Sequence, residues 1–128
     1  MSRILIAVVL ALGSCSKSDT PPTSTEAARP SPAKDPAAAR RLIAAGAVVL
    51  DVRTPDEYSS GHVPNAVNVP VQDVGQRLTE IDRLVGADKT KPVVVYCAAG
   101  SRAAKAKQQL EAAGYTQVVN GGGFDDLR

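Results

Sequence analysis

The chain has 128 residues, enough for one domain and some additional terminal sequence. Its 15 Lys and Arg residues against 13 Asp and Glu residues leave a net charge of +2, too balanced to favour a nucleic-acid partner. Apolar residues make up 44% of the chain, but Trp is absent and Phe occurs once, so the core must be aliphatic. That composition is common in small α/β domains, whose buried parallel strands are rich in Val and Ile.

The N-terminus has the pattern of an export signal over residues 1–14. A positive charge at Arg3 precedes ILIAVVLALG, ten consecutive residues without a polar side chain. That run is too short to span a bilayer, which needs about 20 residues, but it suits the apolar core of a secretory signal. Residues 12–15 (LGSC) resemble the lipobox of bacterial lipoproteins, in which the cysteine carries a diacylglycerol by thioether and becomes the first mature residue. The alternative is an ordinary signal peptide with a chance cysteine at position 15.

A segment rich in Ser, Thr and Pro follows over residues 15–34. It has almost no bulky apolar side chain, so we expect a disordered, partly extended linker between a lipid on Cys15 and a folded domain at residues 35–128. Ser16, rather than Asp, after the lipobox cysteine favours the outer membrane by resemblance to enterobacterial sorting rules. We therefore expect an exported lipoprotein on the periplasmic side of a bacterial membrane, attached through the lipid only.

The folded part alternates helices and strands. Asp35 before Pro36 is typical of an N-cap followed by proline at the first helical position, and AAARRLIAAG continues this helix to Gly46. Residues 47–52 (AVVLDV) predict a buried strand, and Thr54 then caps a short helix. The remaining expected elements are a brief strand at 66–70, a helix at 71–86 broken at Gly75, a strand at 91–97, a helix at 101–114, a strand at 116–120, and a turn with one helical turn at 121–128. Strands separated by helices at this interval indicate an α/β fold with a central parallel sheet flanked by helices.

Cys97 follows the strongest of these strands and is one of only two cysteines in the chain. Export predicts an oxidising compartment, where cysteines normally pair. Because a lipid would use the sulfur of Cys15, Cys97 is left unpaired. Such a thiol is either deeply buried and inert or able to react.

The residues after Cys97 are suited to binding an anion. The small side chains of CAAGSRA let the backbone curl tightly, and Gly100 permits a positive φ. They lie where a strand ends and a helix begins, the place where open α/β sheets build their sites and where N–H groups can point inward. We expect these dipoles to favour the thiolate of Cys97, and Arg102 to bind an oxyanion through its guanidinium fork. Lys105, one turn later, could also meet an anion, although a solvated helix face is the simpler interpretation.

Three motifs in this order resemble those of rhodanese-like domains. They are CAAGSRA after the strong strand, DVRTPDEYSSGHVPNAVNVP at residues 51–70, and GYTQVVNGGG at residues 114–123. The signal and the single-domain size resemble exported members of the phage-shock type. The resemblance implies a small α/β domain with sulfurtransferase activity.

The resemblance also implies the residues and partners of the reaction. The Cys97 thiolate would attack the outer sulfur of thiosulfate or a similar sulfane donor, release sulfite and hold the sulfur as a persulfide, and cyanide or a thiol would then accept it. Arg102 would bind the oxyanion, and the persulfide would lie among the backbone N–H groups of Ala98, Ala99, Gly100, Ser101, Arg102 and Ala103. We expect a monomer without a cofactor, and one histidine with one free cysteine makes no metal site.

Two other functions remain open at this point. A rhodanese-like module could carry sulfur or bind a partner without turning over thiosulfate. Cysteine-dependent phosphatases and arsenate reductases on related folds place five residues between cysteine and arginine, whereas four residues separate Cys97 from Arg102 here. Tyr96, not histidine, precedes the cysteine. The shorter ring fits a persulfide sulfur better than a phosphate, so a phosphatase is disfavoured.

The other conspicuous polar residues are interpreted as scaffold. His62, the only histidine, lies in a Gly-His-Val-Pro turn that the family uses structurally. Asp51, Arg53 and Glu57 are expected to form a polar brace near the site. Asn65 stands where the family usually has glycine, and asparagine tolerates the same left-handed backbone.

Replacing Cys15 by Ala is expected to abolish membrane association, because it removes the sulfur that would carry the lipid. Fractionation of cells expressing the full chain measures this, with Cys97→Ala as the matched cysteine control that stays in the membrane fraction. An unchanged membrane fraction for Cys15→Ala contradicts the lipobox interpretation.

Overall fold

The computed structural model describes residues 33–128 of the chain. The predicted signal peptide, the lipidation at Cys15 and the linker up to residue 32 lie outside the described residues. Among the helices of residues 33–128, none has the length and hydrophobicity that crossing a membrane requires.

Four parallel strands form the centre of the domain. They are β1 (Val48–Asp51), β2 (Val67–Asn68), β3 (Val93–Cys97) and β4 (Val118–Gly123), in the spatial order β2-β1-β3-β4. Each pair of neighbours is parallel, and β3 lies between β1 and β4, with Val94 opposite both Val49 and Val119. The predicted α/β fold with a central parallel sheet is therefore confirmed.

Helices connect the strands where the sequence predicts them. They are α1 (Pro36–Ala44), α2 (Pro55–Ser59), α3 (Leu78–Leu84), α4 (Ser101–Ala112) and α5 (Phe124–Leu127), and a 3₁₀ helix (Val71–Gln76) precedes α3. The Asp35 carboxylate caps α1 by accepting a hydrogen bond from the Ala38 N–H at 3.0 Å. The predicted break near Gly75 is confirmed, because the segment changes from 3₁₀ to α geometry just after this glycine. Asn65 has the expected left-handed backbone, with a φ of 66°.

The two faces of the sheet carry separate apolar clusters. Alternate residues of a strand point to opposite faces, so Val95 and Cys97 of β3 join one cluster while Val94 and Tyr96 join the other. The Cys97 side also contains Ala103 and Leu110 of α4. The alternation of β3 therefore places the thiol on the face that α4 covers, four positions before Ser101, where that helix begins.

The C-terminal glycines form a strand where the sequence predicted a turn. β4 continues through Gly123, which is paired with Cys97 across an irregular register. Glycine is depleted in strands, which is why its run indicated a turn. Here the packing of neighbouring side chains outweighs this low preference for strands. A Cβ on Gly121 would stand 3.0 Å from Leu127 Cδ1 and 3.2 Å from Ala39 Cβ, so only glycine fits at this position. The single helical turn expected after the glycines is present as α5.

A buried polar cluster joins the carboxyl ends of β1 and β3. The Arg53 guanidinium donates to the Asp51 carboxylate at 2.6–3.1 Å, and the Tyr96 hydroxyl donates to the same carboxylate at 2.7 Å. The Tyr96 oxygen in turn accepts the Val63 N–H at 3.0 Å. Burial raises the pKa of Tyr96, so its hydroxyl stays protonated and continues to donate. Asp51 and Arg53 thus form the expected brace, and Tyr96 completes it.

Replacing Asp51 by Asn is expected to cost about 3–5 kcal/mol of unfolding free energy, because it leaves the buried Arg53 charge without its counterion. Urea denaturation measures this loss. The matched control is Asp125→Asn, since Asp125 pairs with Arg128 while its side chain is 82% exposed, and its loss should stay below about 1 kcal/mol. Equal losses in the two variants contradict the assigned role of the buried pair.

Candidate active site

Cys97 is the last residue of β3 and is a free cysteine with 1% of its surface exposed. The next three residues turn back over it, and Gly100, at a φ of 107°, lies in the left-handed region that favours glycine. This conformation returns the Gly100 N–H to Cys97 Sγ, with the nitrogen 2.9 Å from the sulfur. The sulfur is therefore held inside a bend of its own backbone.

β4 supports this bend from behind. A Cβ on Gly123 would stand 3.0 Å from the Ala98 carbonyl carbon and closer still to its oxygen, so the loop can rest there only against glycine. Asn120 ties the two segments together, because its side-chain amide donates to the Gly100 carbonyl at 3.1 Å while its oxygen accepts the Gly122 N–H at 2.9 Å. The sequence motif included the glycines but did not reveal this buried role of Asn120.

The expected cradle residues lie together on one loop but differ in exposure. Ala98, Ala99 and Ser101 are exposed, whereas Gly100 and Ala103 are buried. Ser101 begins α4, and the first N–H groups of a helix have no carbonyl partner within it. The Gly100 N–H contacts the sulfur, and the start of α4 brings the N–H groups of residues 101–103 to the same loop.

Arg102 is held by Glu57 of α2. Its two terminal nitrogens donate to the two carboxylate oxygens at 2.8 and 3.0 Å, and the two side chains are 32% and 36% exposed. The hydrogen bond from Arg102 lowers the pKa of Glu57 to about 2. The expectation that Glu57 braces Asp51 and Arg53 is corrected, because its carboxylate is bound to Arg102 and Thr54.

Lys34, the last residue of the expected linker, also reaches the support of the loop. Its ammonium pairs with Asp126 at 3.2 Å, and its Cδ lies 3.0 Å from the place where a Cβ on Gly122 would stand and 3.8 Å from the equivalent place on Gly100. Nothing in the sequence around Lys34, which stands between Ala33 and Asp35, indicates such a contact.

The remaining candidates, His62 and Lys105, are both exposed. His62 is exposed, its Nδ1 lies 3.0 Å from the Tyr58 carbonyl oxygen and its ring stacks on the Tyr58 ring at 3.8 Å between centroids, which agrees with the predicted structural role. Lys105 is exposed on α4.

Comparison with known proteins identifies the class to which this fold and loop belong. Residues 35–127 match the model of the rhodanese-like domain family. The chain belongs to this family.

Similar individual proteins carry sulfurtransferase names. Thiosulfate sulfurtransferase PspE of Escherichia coli K12 is 40% identical over 78 residues, which are 61% of this chain and 71% of PspE. A structure described as rhodanese with anions from E. coli is 41% identical, covers 63% of this chain and 91% of its own, and has a TM-score of 0.57. The human single-domain sulfurtransferase TSTD1 is 29% identical, covers 66% of this chain and 85% of its own, and has a TM-score of 0.55.

The share of a relative that this chain covers determines how far the name of that relative applies to this chain. The chain covers 58% and 63% of the length of two further relatives, and it covers 24% of a relative named tRNA uridine(34) hydroxylase from E. coli O1:K1. PspE and TSTD1, which the chain covers to more than two thirds of their length, therefore support sulfur transfer in general.

Replacing Gly123 by Ala is expected to displace the loop and change the alkylation rate of Cys97 by iodoacetamide, because the new methyl overlaps the Ala98 carbonyl. Peptide mass spectrometry measures that rate for Cys97 separately from Cys15. The matched control is Gly75→Ala, where the nearest atom, Gln109 Oε1, is 3.9 Å from the new Cβ. A rate that changes equally in both variants, or in neither, contradicts the support role of Gly123.

Proposed function

We propose that this protein is a sulfurtransferase of the thiosulfate-using type in which Cys97 carries the sulfur as a persulfide. The observation that carries the proposal is the position of Cys97 Sγ, which lies inside the bend of its own loop with the Gly100 N–H directed at it from 2.9 Å. A buried, inert cysteine needs no such bend, whereas a sulfur that gains negative charge is stabilised by N–H groups around it.

In the first half of the proposed cycle, the Cys97 thiolate attacks the outer sulfur of thiosulfate or a similar sulfane donor. A bond forms between Sγ and that sulfur, the sulfur–sulfur bond of the donor breaks, and sulfite leaves with the bonding electron pair. The product is a Cys97 persulfide anion, so charge and atoms balance. N–H groups of residues 98–103 are the groups available to stabilise the terminal sulfur.

In the second half, a thiolate or cyanide attacks the terminal sulfur and regenerates the Cys97 thiolate. This ping-pong sequence needs no cofactor and no metal, since both steps are displacements at sulfur. The exposure of Ala98, Ala99 and Ser101 leaves the loop accessible to both partners in turn. Arg102, at the start of α4, is the residue we assign to the oxyanion of the donor.

The alternatives differ in what they leave on the cysteine. A module that only carries sulfur would gain a persulfide without turning over thiosulfate, and a module that only binds a partner would gain none. The four-residue spacing of the loop disfavours the phosphatase alternative.

The location of the protein is a separate part of the proposal. The lipobox-like pattern at residues 12–15 supports a lipid anchor on Cys15, with the residues up to 34 as a linker and the domain from residue 35 in the periplasm. Ser16, the residue after the cysteine, favours the outer membrane. We propose that the domain acts as a monomer.

Thiocyanate formation from thiosulfate and cyanide tests the function. The wild-type protein should form thiocyanate, and its intact mass should increase by one sulfur atom after incubation with donor alone. Cys97→Ser should do neither, because the nucleophile is lost, while Cys15→Ser should keep both properties.

A wild-type protein that gains no sulfur from thiosulfate, a thiosulfonate or a polysulfide contradicts the proposal. One that gains sulfur but forms no thiocyanate supports the sulfur-carrying alternative instead.

A further inference from the structure

The cation assigned to the oxyanion of the donor is already paired in this structure. Arg102 donates one N–H from each terminal nitrogen to Glu57, at 2.8 and 3.0 Å, which uses two of the five N–H groups of its guanidinium. A donor must therefore bind to the remaining N–H groups beside a carboxylate, or displace that carboxylate.

Glu57 is fixed independently of Arg102. Its Oε2 accepts the Thr54 backbone N–H at 2.9 Å and the Thr54 hydroxyl at 3.0 Å, and the Thr54 hydroxyl accepts the Glu57 N–H, which completes a capping box at the start of α2. Because its pKa is near 2, the carboxylate is charged throughout the neutral range. The ion pair is thus anchored at one end by helix capping, unlike a flexible surface pair.

The neighbouring cations are compensated in the same way. Arg53 is bound to Asp51 and Lys34 to Asp126, so both have counterions within 3.2 Å. Lys105 is exposed on α4, farther along the helix than Arg102. Arg102, Arg53 and Lys34 therefore each have a carboxylate partner that reduces their attraction for an anion, and the backbone N–H groups of the loop are a further source of that attraction.

We propose that Glu57 is a positioning residue that tunes the donor preference of the site: by holding and neutralising Arg102, it shifts this preference away from dianionic thiosulfate and toward sulfane donors with a single negative charge, such as thiosulfonates and persulfides. The inference rests on the proposed sulfurtransferase function and concerns the same site.

The physical reason is the scaling of Coulomb energy with charge. A dianion approaching Arg102 is repelled by Glu57 about twice as strongly as a monoanion at the same place. Glu57 therefore weakens binding of both donors but weakens thiosulfate more. The two hydrogen bonds between Arg102 and Glu57 also keep the guanidinium in one orientation beside the loop.

The experiment compares kcat/KM for thiosulfate with kcat/KM for methanethiosulfonate, with cyanide as acceptor, in the full chain. Both donors deliver the same outer sulfur, and they release sulfite and methanesulfinate respectively. In Glu57→Gln the ratio of the two values should rise about threefold to tenfold in favour of thiosulfate. Glutamine keeps a carbonyl oxygen for the Thr54 N–H, so the capping box is retained while the charge is removed.

Glu80→Gln is the matched control. Glu80 also binds an arginine through two contacts, with Arg77 at 2.7 and 2.8 Å, but this pair belongs to the region where α3 begins and not to the loop. Its ratio should equal that of the wild type. Because the readout is a ratio, a partly unfolded fraction lowers both values equally and does not affect it.

The outcomes separate the two proposals. If the wild type accepts sulfur from neither donor, the proposed function is wrong. If it accepts sulfur and the ratio in Glu57→Gln is unchanged or lower, the function stands and the role of Glu57 is wrong. A raised ratio in Glu57→Gln that also varies with pH between 5 and 8 would likewise overturn the inference, because glutamine and arginine do not titrate there.

Discussion

The hydrogen bond from the Gly100 N–H to Cys97 Sγ is the contact on which the rest of the site depends. It exists because β3 ends at the cysteine, the backbone reverses at a glycine with positive φ, and α4 begins at the following residue. The reversal in turn requires the close approach of β4, where any side chain on Gly123 would overlap the Ala98 carbonyl. The glycine run at the C-terminus is therefore as much a part of the site as the cysteine loop.

Charged pairs connect this loop to the rest of the sheet's carboxyl edge. The buried Asp51 carboxylate receives hydrogen bonds from Arg53 and Tyr96, and Tyr96 is the residue immediately before Cys97. The Glu57–Arg102 pair connects α2 to α4 beside the same loop. The first pair is buried and stabilises the position of β3, whereas the second is partly exposed and can respond to a ligand. The buried pair therefore has a structural role, and the partly exposed pair is available for a role in ligand binding.

Local patterns predicted the elements because local physics determines them. Asp35 and Thr54 cap helices with their own side chains, and the valines of β3 have few alternatives to a buried strand. The position of Cys97 between a strand and a helix followed from these elements. The left-handed backbone at Asn65 was likewise predictable, since asparagine is among the few residues that tolerate it.

Most of the contacts that the sequence did not reveal join residues far apart in the chain. The partner of Glu57 lies 45 positions away, and Lys34 pairs with a carboxylate 92 positions away. The strand conformation of Gly121–Gly123 also depends on neighbours distant in sequence, because glycine there is required by the atoms packed against it. Side-chain identity shows which partners are chemically allowed, but only the folded sheet shows which of them meet.

The amide signal of Gly100 in a ¹H–¹⁵N correlation spectrum tests the central claim most directly. If its N–H is bonded to Cys97 Sγ, the amide should exchange with solvent more slowly than those of the exposed Ala98 and Ala99, and its signal should move when the sulfur is loaded by a donor. Exchange as fast as that of its exposed neighbours, together with a signal that does not respond to loading of Cys97, would contradict the account.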